Sequence, residues 1–202
     1  MRIIEGLEPK GREVTIPNCG RLDLPRFFLD MGYKVGAEIG VRKGWFTYKF
    51  CRAGLSMHAV DAWLAYPDYN EPERNYQEEQ DYFYSKAQKS LASYISAGKC
   101  TLIRKMSMDA VRDFEDESLD FVYIDAHHGF KYVVEDIYEW SKKVRKGGVI
   151  SGHDFVSTNT IHVKIAVRAY TRAYKIHNWY VLGRDMEGEH RDIYRSWFWI
   201  KD

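Results

Sequence analysis

Cysteine is scarce in this chain, with three residues in 202: Cys19, Cys51 and Cys100. An odd number, far apart in sequence, makes neither a disulfide framework nor a zinc knuckle, and it fits a reducing compartment. Long apolar runs are missing as well. No stretch approaches the roughly 18 residues of a membrane span, and the opening M-R-I-I-E-G-L-E-P-K-G has no apolar core of secretory length. Neither sign of charge dominates: 30 basic and 29 acidic side chains leave a net charge of +1, so there is no basic field for nucleic acid or a membrane surface. Repeats, low-complexity tracts and linkers are absent too. Cytoplasmic and soluble is the expectation.

What is present suits one α/β domain: 45% apolar and 29% charged residues in a chain long enough to bury a core. Residues 1–21 mix charge, Gly and Pro without a period and read as an arm or flap; 22–202 read as a single domain. Asp23 is placed to cap a short helix through Met31, with Pro25 in its first turn and Gly32 at its end. Short apolar runs at Val35–Gly40, Met57–Asp61, Thr101–Arg104, Phe121–Ile124 and Val149–Gly152 predict five strands. Helical spacing between them predicts helices over Trp45–Arg52, Tyr82–Ser96, Met108–Phe114 and Tyr132–Val144. A helix over Ile161–Tyr174 and two β-like runs, Tyr180–Leu182 and Tyr194–Ile200, complete the chain. The alternation argues for a mostly parallel sheet with an antiparallel finish. Residues 64–80 form a polar, proline-broken excursion long enough for a binding lid, and its tyrosines (Tyr66, Tyr69, Tyr76, with Tyr82 and Tyr84 beyond) either line a pocket or pack on the surface.

The stretch from Val35 to Trp63 organises the rest. Glu38-Ile39-Gly40-Val41-Arg42-Lys43-Gly44 has the form E-x-G-x-x-x-G between a strand and a helix. Gly40 permits a close backbone approach, and Gly44 opens a helix whose free N–H groups can receive a carboxylate or phosphate. Arg42 occupies the place where a dinucleotide fold needs its second glycine, which weighs against a nicotinamide cofactor. Asp61 closes the second strand about 20 residues later, where an acidic side chain can accept from ribose hydroxyls. Two acid-and-imidazole clusters then fall at strand ends: Asp125 with His127 and His128, and His153 with Asp154. Such clusters can hold a divalent ion or supply a general base, and each single histidine has a packed, hydrogen-bonded role as its alternative. Oxygen ligands alone suit Mg²⁺; His153 in the set shifts the preference toward a transition metal. Ser107, between Met106 and Met108, can reach an adenine edge or simply start a helix.

Taken in order, V-G-A-E-I-G-V-R-K-G-W-F-T, V-D-A-W, L-D-F-V-Y-I-D-A-H-H-G-F-K-Y-V-V-E-D-I and K-G-G-V-I-S-G-H-D-F resemble class I S-adenosylmethionine-dependent methyltransferases. The closer likeness is to the branch that includes macrocin-type and related small-molecule O-methyltransferases, and it spans roughly residues 22–200. It implies a Rossmann-like three-layer sandwich, with a seven-stranded sheet of order 3-2-1-4-5-7-6 whose last strand is antiparallel. It also implies S-adenosylmethionine as cofactor. Glu38, Gly40 and Gly44 would surround its methionine part, Asp61 with the adjoining Ala62 its ribose, Ser107 its adenine, and Asp125 would border it. In metal-dependent members, positions matching Asp125, His153 and Asp154 hold a divalent cation such as Mg²⁺. The His153-Asp154 order departs from the usual acid–acid or acid–Asn pair, so His153 stands as ligand or base, with Asp125 and Asp154 the other catalytic candidates. The implied partner is a polar, hydroxylated small molecule. Three other readings remain at this point: a nicotinamide-dependent oxidoreductase, a metal-dependent hydrolase, and a binding module without turnover.

Overall fold

Phe121 and Tyr123 send their rings to one face of the central sheet, while Val122 and Ile124 between them point to the other, and each face builds its own core. A strand apolar on both sides is what a sheet covered on both faces requires. The structure, a computed structural model, describes residues 3–7, 11–65, 76–183 and 194–202. Among the described residues, eight strands form one sheet: β1 (Val14–Ile16), β2 (Val35–Ile39), β3 (Ser56–Asp61), β4 (Cys100–Arg104), β5 (Leu119–Ile124), β6 (Val144–Gly152), β7 (Trp179–Leu182) and β8 (Trp197–Ile200). Their order is β1-β7-β8-β6-β5-β2-β3-β4. Only β8 runs antiparallel to its neighbours, β6 and β7.

Helices α1 (Leu24–Asp30), α2 (Trp45–Ala53) and α3 (Gln77–Ser96) cover one face. Phe28 is their keystone, with its ring centroid 4.2 Å from that of Phe121 and 5.7 Å from that of Phe50. The other face is covered by α4 (Ser107–Ala110), α5 (Phe130–Lys143) and α6 (Val163–Ala173). There Val133, Ile137 and Trp140, spaced as one stripe of α5, pack on Val122 and Ile150. This is the three-layer arrangement expected from the alternation of elements.

The seven strands implied by the resemblance become eight. The additional strand is β1, which lies in the segment read as an arm and pairs parallel to β7 through Val14↔Tyr180, Thr15↔Val181 and Ile16↔Leu182. Three residues are too few for a period to show, and their partners sit at the other end of the chain. Other differences concern boundaries. Helix α3 starts at Gln77, inside the polar excursion, with Glu78 and Glu79 in the first turn, where acids favour the helix dipole. Strand β6 starts at Val144, ahead of the Gly147-Gly148 pair, and a register shift against β5 between Leu119 and Phe121 absorbs the turn. Tyr84 packs on Trp63 at 4.7 Å, whereas Tyr76 and Tyr82 are exposed. Tyr66 and Tyr69 lie outside the described residues. Among those residues, no helix is long and apolar enough to cross a membrane.

Candidate active site

The parallel strands β2, β3, β5 and β6 all end on the same side of the molecule, and their C-terminal ends open into one cavity of about 390 Å³. Glu38 from β2 and Gly40 just beyond it, Asp61 from β3, Asp125 just beyond β5, and His153 and Asp154 beyond β6 all line it. Ligand sites in open α/β sheets form at these strand ends. The glycine turn and the carboxylate closing the next strand therefore share a cavity, as holding two ends of one nucleoside requires.

Gly40 has φ +91°, and a Cβ added there would lie 2.1 Å from the carbonyl oxygen of Asp125. The close approach anticipated toward a ligand is first an approach to the neighbouring chain, which lets the ends of β2 and β5 meet. Asp61 is similarly engaged. Its Oδ2 accepts from the Val41 and Arg42 N–H groups at 2.9 and 2.8 Å, and its Oδ1 accepts from Trp63 N–H at 2.9 Å. This one carboxylate thus shapes the glycine loop while facing the cavity. Gly44, at φ +77°, turns the chain into α2.

Glu38 is buried and accepts from the Thr47 hydroxyl. Burial pushes its carboxyl well above the usual range; the Thr47 hydrogen bond opposes this, and the nearby Asp125 and Asp61 add to it. A positive group placed in the cavity would favour its ionised form.

At the far end stands a cluster of two carboxylates and two imidazoles. His128 Nε2 lies 2.8 Å from Asp154 Oδ2 and 3.9 Å from Asp125 Oδ1. His153 Nδ1 lies 3.1 Å from Asp154 Oδ1 and 3.9 Å from Asp125 Oδ2. Burial alone would keep His128 neutral, but the two carboxylates overcome it and raise its pKa to about 9. Burial likewise works to raise Asp154, yet His128 and His153 hold it well below the usual carboxylate range. Asp125, His128 and Asp154 each offer a donor atom within 4.8 Å of the others. Two carboxylates and an imidazole fit a divalent ion, and the nitrogen favours a transition metal over Mg²⁺. Ligation would require His128 to give up its proton.

Residues 37–155, from β2 through this cluster, match the family described as "Methyltransferase domain". The chain belongs to this family. The match is to a family of methyltransferase domains and not to an oxidoreductase or hydrolase family. The methyltransferase fold extends to solved structures. The O-methyltransferase from Bacillus cereus, in complex with SAH, aligns over 90% of this chain and 80% of its own with a TM-score of 0.61 at 16% identity. The O-methyltransferase TomG from Streptomyces achromogenes, involved in tomaymycin synthesis and in complex with SAM, aligns over 90% of this chain and 79% of its own with a TM-score of 0.63 at 13% identity. An uncharacterized protein of Sinorhizobium fredii is 28% identical over 123 residues, which are 58% of this chain. The chain spans 12% of that relative's length.

Three expected site residues of the methyltransferase lie off the cavity wall: Gly44, Ala62 and Ser107 are not among its lining residues. The Ser107 hydroxyl donates to Asp136 Oδ1 and accepts from Trp140 Nε1–H at 2.9 Å, tying α4 to α5. Burial pushes Asp136 up to about 7, against the Ser107 hydrogen bond and with a small push from Glu135. A folded-state pKa above the unfolded value of about 3.9 means stability is lost as pH rises through that window. Asp136→Asn keeps a neutral acceptor for Ser107, so its stability relative to wild type should grow by roughly a few kcal/mol between about pH 4 and pH 8. Thermal melts of both proteins at the two pH values read this directly, and parallel slopes would refute it.

His128 was legible only as half of an ambiguous pair. His127 turns away: its Nδ1 accepts the Gly129 N–H at 2.9 Å, and its ring lies 4.0 Å from that of Tyr132. The i,i+3 spacing of Asp125 and His128 is the one trace of the difference in the sequence. Arg21 also lines the cavity, and no motif pointed to it.

Proposed function

We propose that this methyltransferase moves the methyl group of S-adenosylmethionine to a hydroxyl of a polar small molecule. The observation that carries the reading is the shared cavity: a glycine-bearing turn and Asp61 at one end, and an acid–imidazole cluster at the other. The SAM and SAH held by the two structural neighbours support the choice of nucleoside. Asp61 meets the ribose, with Ala62 and Ser107 contributing to the adenosine subsite through the backbone they shape. Glu38 and the turn from Gly40 to Gly44 surround the methionine part, where Glu38 balances positive charge.

Methyl transfer from a sulfonium is an in-line displacement, so the protein's main task is to align donor and acceptor. The acceptor hydroxyl must also lose its proton. His153 is the base in this reading: Asp154 fixes its Nδ1 side, as carboxylates do for imidazole bases. Asp125, His128 and Asp154 would hold a divalent cation, which supplies a lowered hydroxyl pKa when bound. Without it, the His128 imidazolium provides the positive charge there.

Calorimetric titration with S-adenosylmethionine, S-adenosylhomocysteine and NADH is the first test. Saturable binding of the first two and none of the third is expected; no binding of either adenosyl ligand would sink the proposal. Labelled-methyl transfer to a panel of hydroxylated acceptors, with and without chelator, then tests the metal. Full turnover in excess chelator would remove the cation from the mechanism and leave His153 as base.

A further inference from the structure

Two residues other than glycine hold left-handed backbone beside the cavity: Arg42, at φ +52°, and Trp63, at φ +42°. A large side chain does not adopt this region readily, and such strain persists only where surrounding groups over-determine it. Arg42 stands between Gly40 and Gly44, which are also at positive φ, so the loop beyond β2 is left-handed at every second residue.

The backbone of Arg42 is gripped on both sides. Its N–H donates to Asp61 Oδ2 at 2.8 Å, and its carbonyl oxygen accepts from the Trp63 indole Nε1–H at 2.8 Å. Trp63 is pinned in turn. Its own N–H donates to Asp61 Oδ1 at 2.9 Å, and its carbonyl oxygen accepts from Gln77 Nε2 at 3.0 Å and Arg104 Nη2 at 3.1 Å. Gln77 opens α3 and Arg104 ends β4, so two elements of the scaffold fix the residue that holds the loop. The indole is buried and packs on Tyr84. Any buried indole N–H needs an acceptor; here the acceptor belongs to the strained residue itself. Val41, Arg42 and Lys43 line the cavity and Trp63 does not, so its influence on a ligand passes through the loop.

We propose that Trp63 is a positioning residue for cofactor binding: its indole N–H holds Arg42 left-handed and so sets the loop from Gly40 to Gly44 in the shape that meets S-adenosylmethionine. This rests on the cofactor reading above. It also accounts for an arginine where glycine would be free of strain, since the clamp supplies the conformation that the residue does not favour.

The test is a double-mutant cycle read by calorimetric titration with S-adenosylhomocysteine. Trp63→Phe keeps an aromatic ring and deletes the N–H. In the wild-type background it should weaken binding roughly 5- to 10-fold. Glycine takes positive φ without steric cost, so in an Arg42→Gly background the same change should weaken binding by less than about 2-fold. Were Trp63 structural only, its replacement would lower the melting temperature and leave affinity unchanged, or cost the same affinity in both backgrounds; either result would overturn the proposal. Should Trp63→Phe fail to fold, the tryptophan isostere with sulfur in place of the ring N–H, installed at position 63 alone, is read in the same way. Wild type that does not bind S-adenosylhomocysteine would overturn the cofactor reading itself, a distinct result.

Discussion

Turnover should fall by on the order of 10³-fold when Asp154 becomes asparagine, while affinity for S-adenosylhomocysteine should change little. Asp154 is the hub of the cluster, 2.8 Å from His128 and 3.1 Å from His153. Its backbone is left-handed, at φ +52°, a region that asparagine tolerates far better than alanine. Asp154→Asn therefore removes the charge with little backbone strain. Without that charge His153 loses the carboxylate that orients it, and His128 loses one of the two that hold its proton. The cation set loses an anionic ligand as well. Labelled-methyl turnover, with S-adenosylhomocysteine titration as the control, separates this from a general loss of structure. A variant as fast as wild type would remove Asp154 from the chemistry.

The second large effect is on the scaffold. Gly40→Ala should cost about 3 kcal/mol or more and lower the melting temperature by about 10 °C. The new methyl would lie 2.1 Å from the Asp125 carbonyl oxygen and 2.7 Å from Ala126 Cα, and both are backbone atoms that cannot swing aside. The φ of +91° adds strain of its own. Relief requires β2 and β5 to part at their C-terminal ends, which separates Glu38 from Asp125, so cofactor affinity should fall along with stability. Differential scanning calorimetry and the same titration measure the two losses; a variant melting within a degree or two of wild type would contradict the geometry.

Much of the fold was legible because its signals are local. Phe121-Val122-Tyr123-Ile124 reads as a doubly buried strand, and Val133, Ile137 and Trp140 repeat at helical spacing; each pattern is complete within a few residues. The E-x-G-x-x-x-G turn and the aspartate closing the next strand could be paired from spacing alone, since a strand–helix–strand unit returns the chain to a known place. β1 could not be read this way. Its pairing with β7 joins opposite ends of the chain, and nothing within its three residues records that partner.

The site divides along the same line. Residue type and strand ends, both properties of the sequence by itself, determined that this is a layered α/β protein with acids and imidazoles gathered at one edge of the sheet. Tertiary structure alone decided that His128 joins Asp125 and Asp154 while His127 folds toward Tyr132, that Asp61 clasps the glycine loop, that Ser107 is held by Asp136 and Trp140, and that Arg21 reaches the cavity. The reason is physical. A side chain's identity is written in one residue, but its direction and partners depend on backbone brought together from strands distant in sequence.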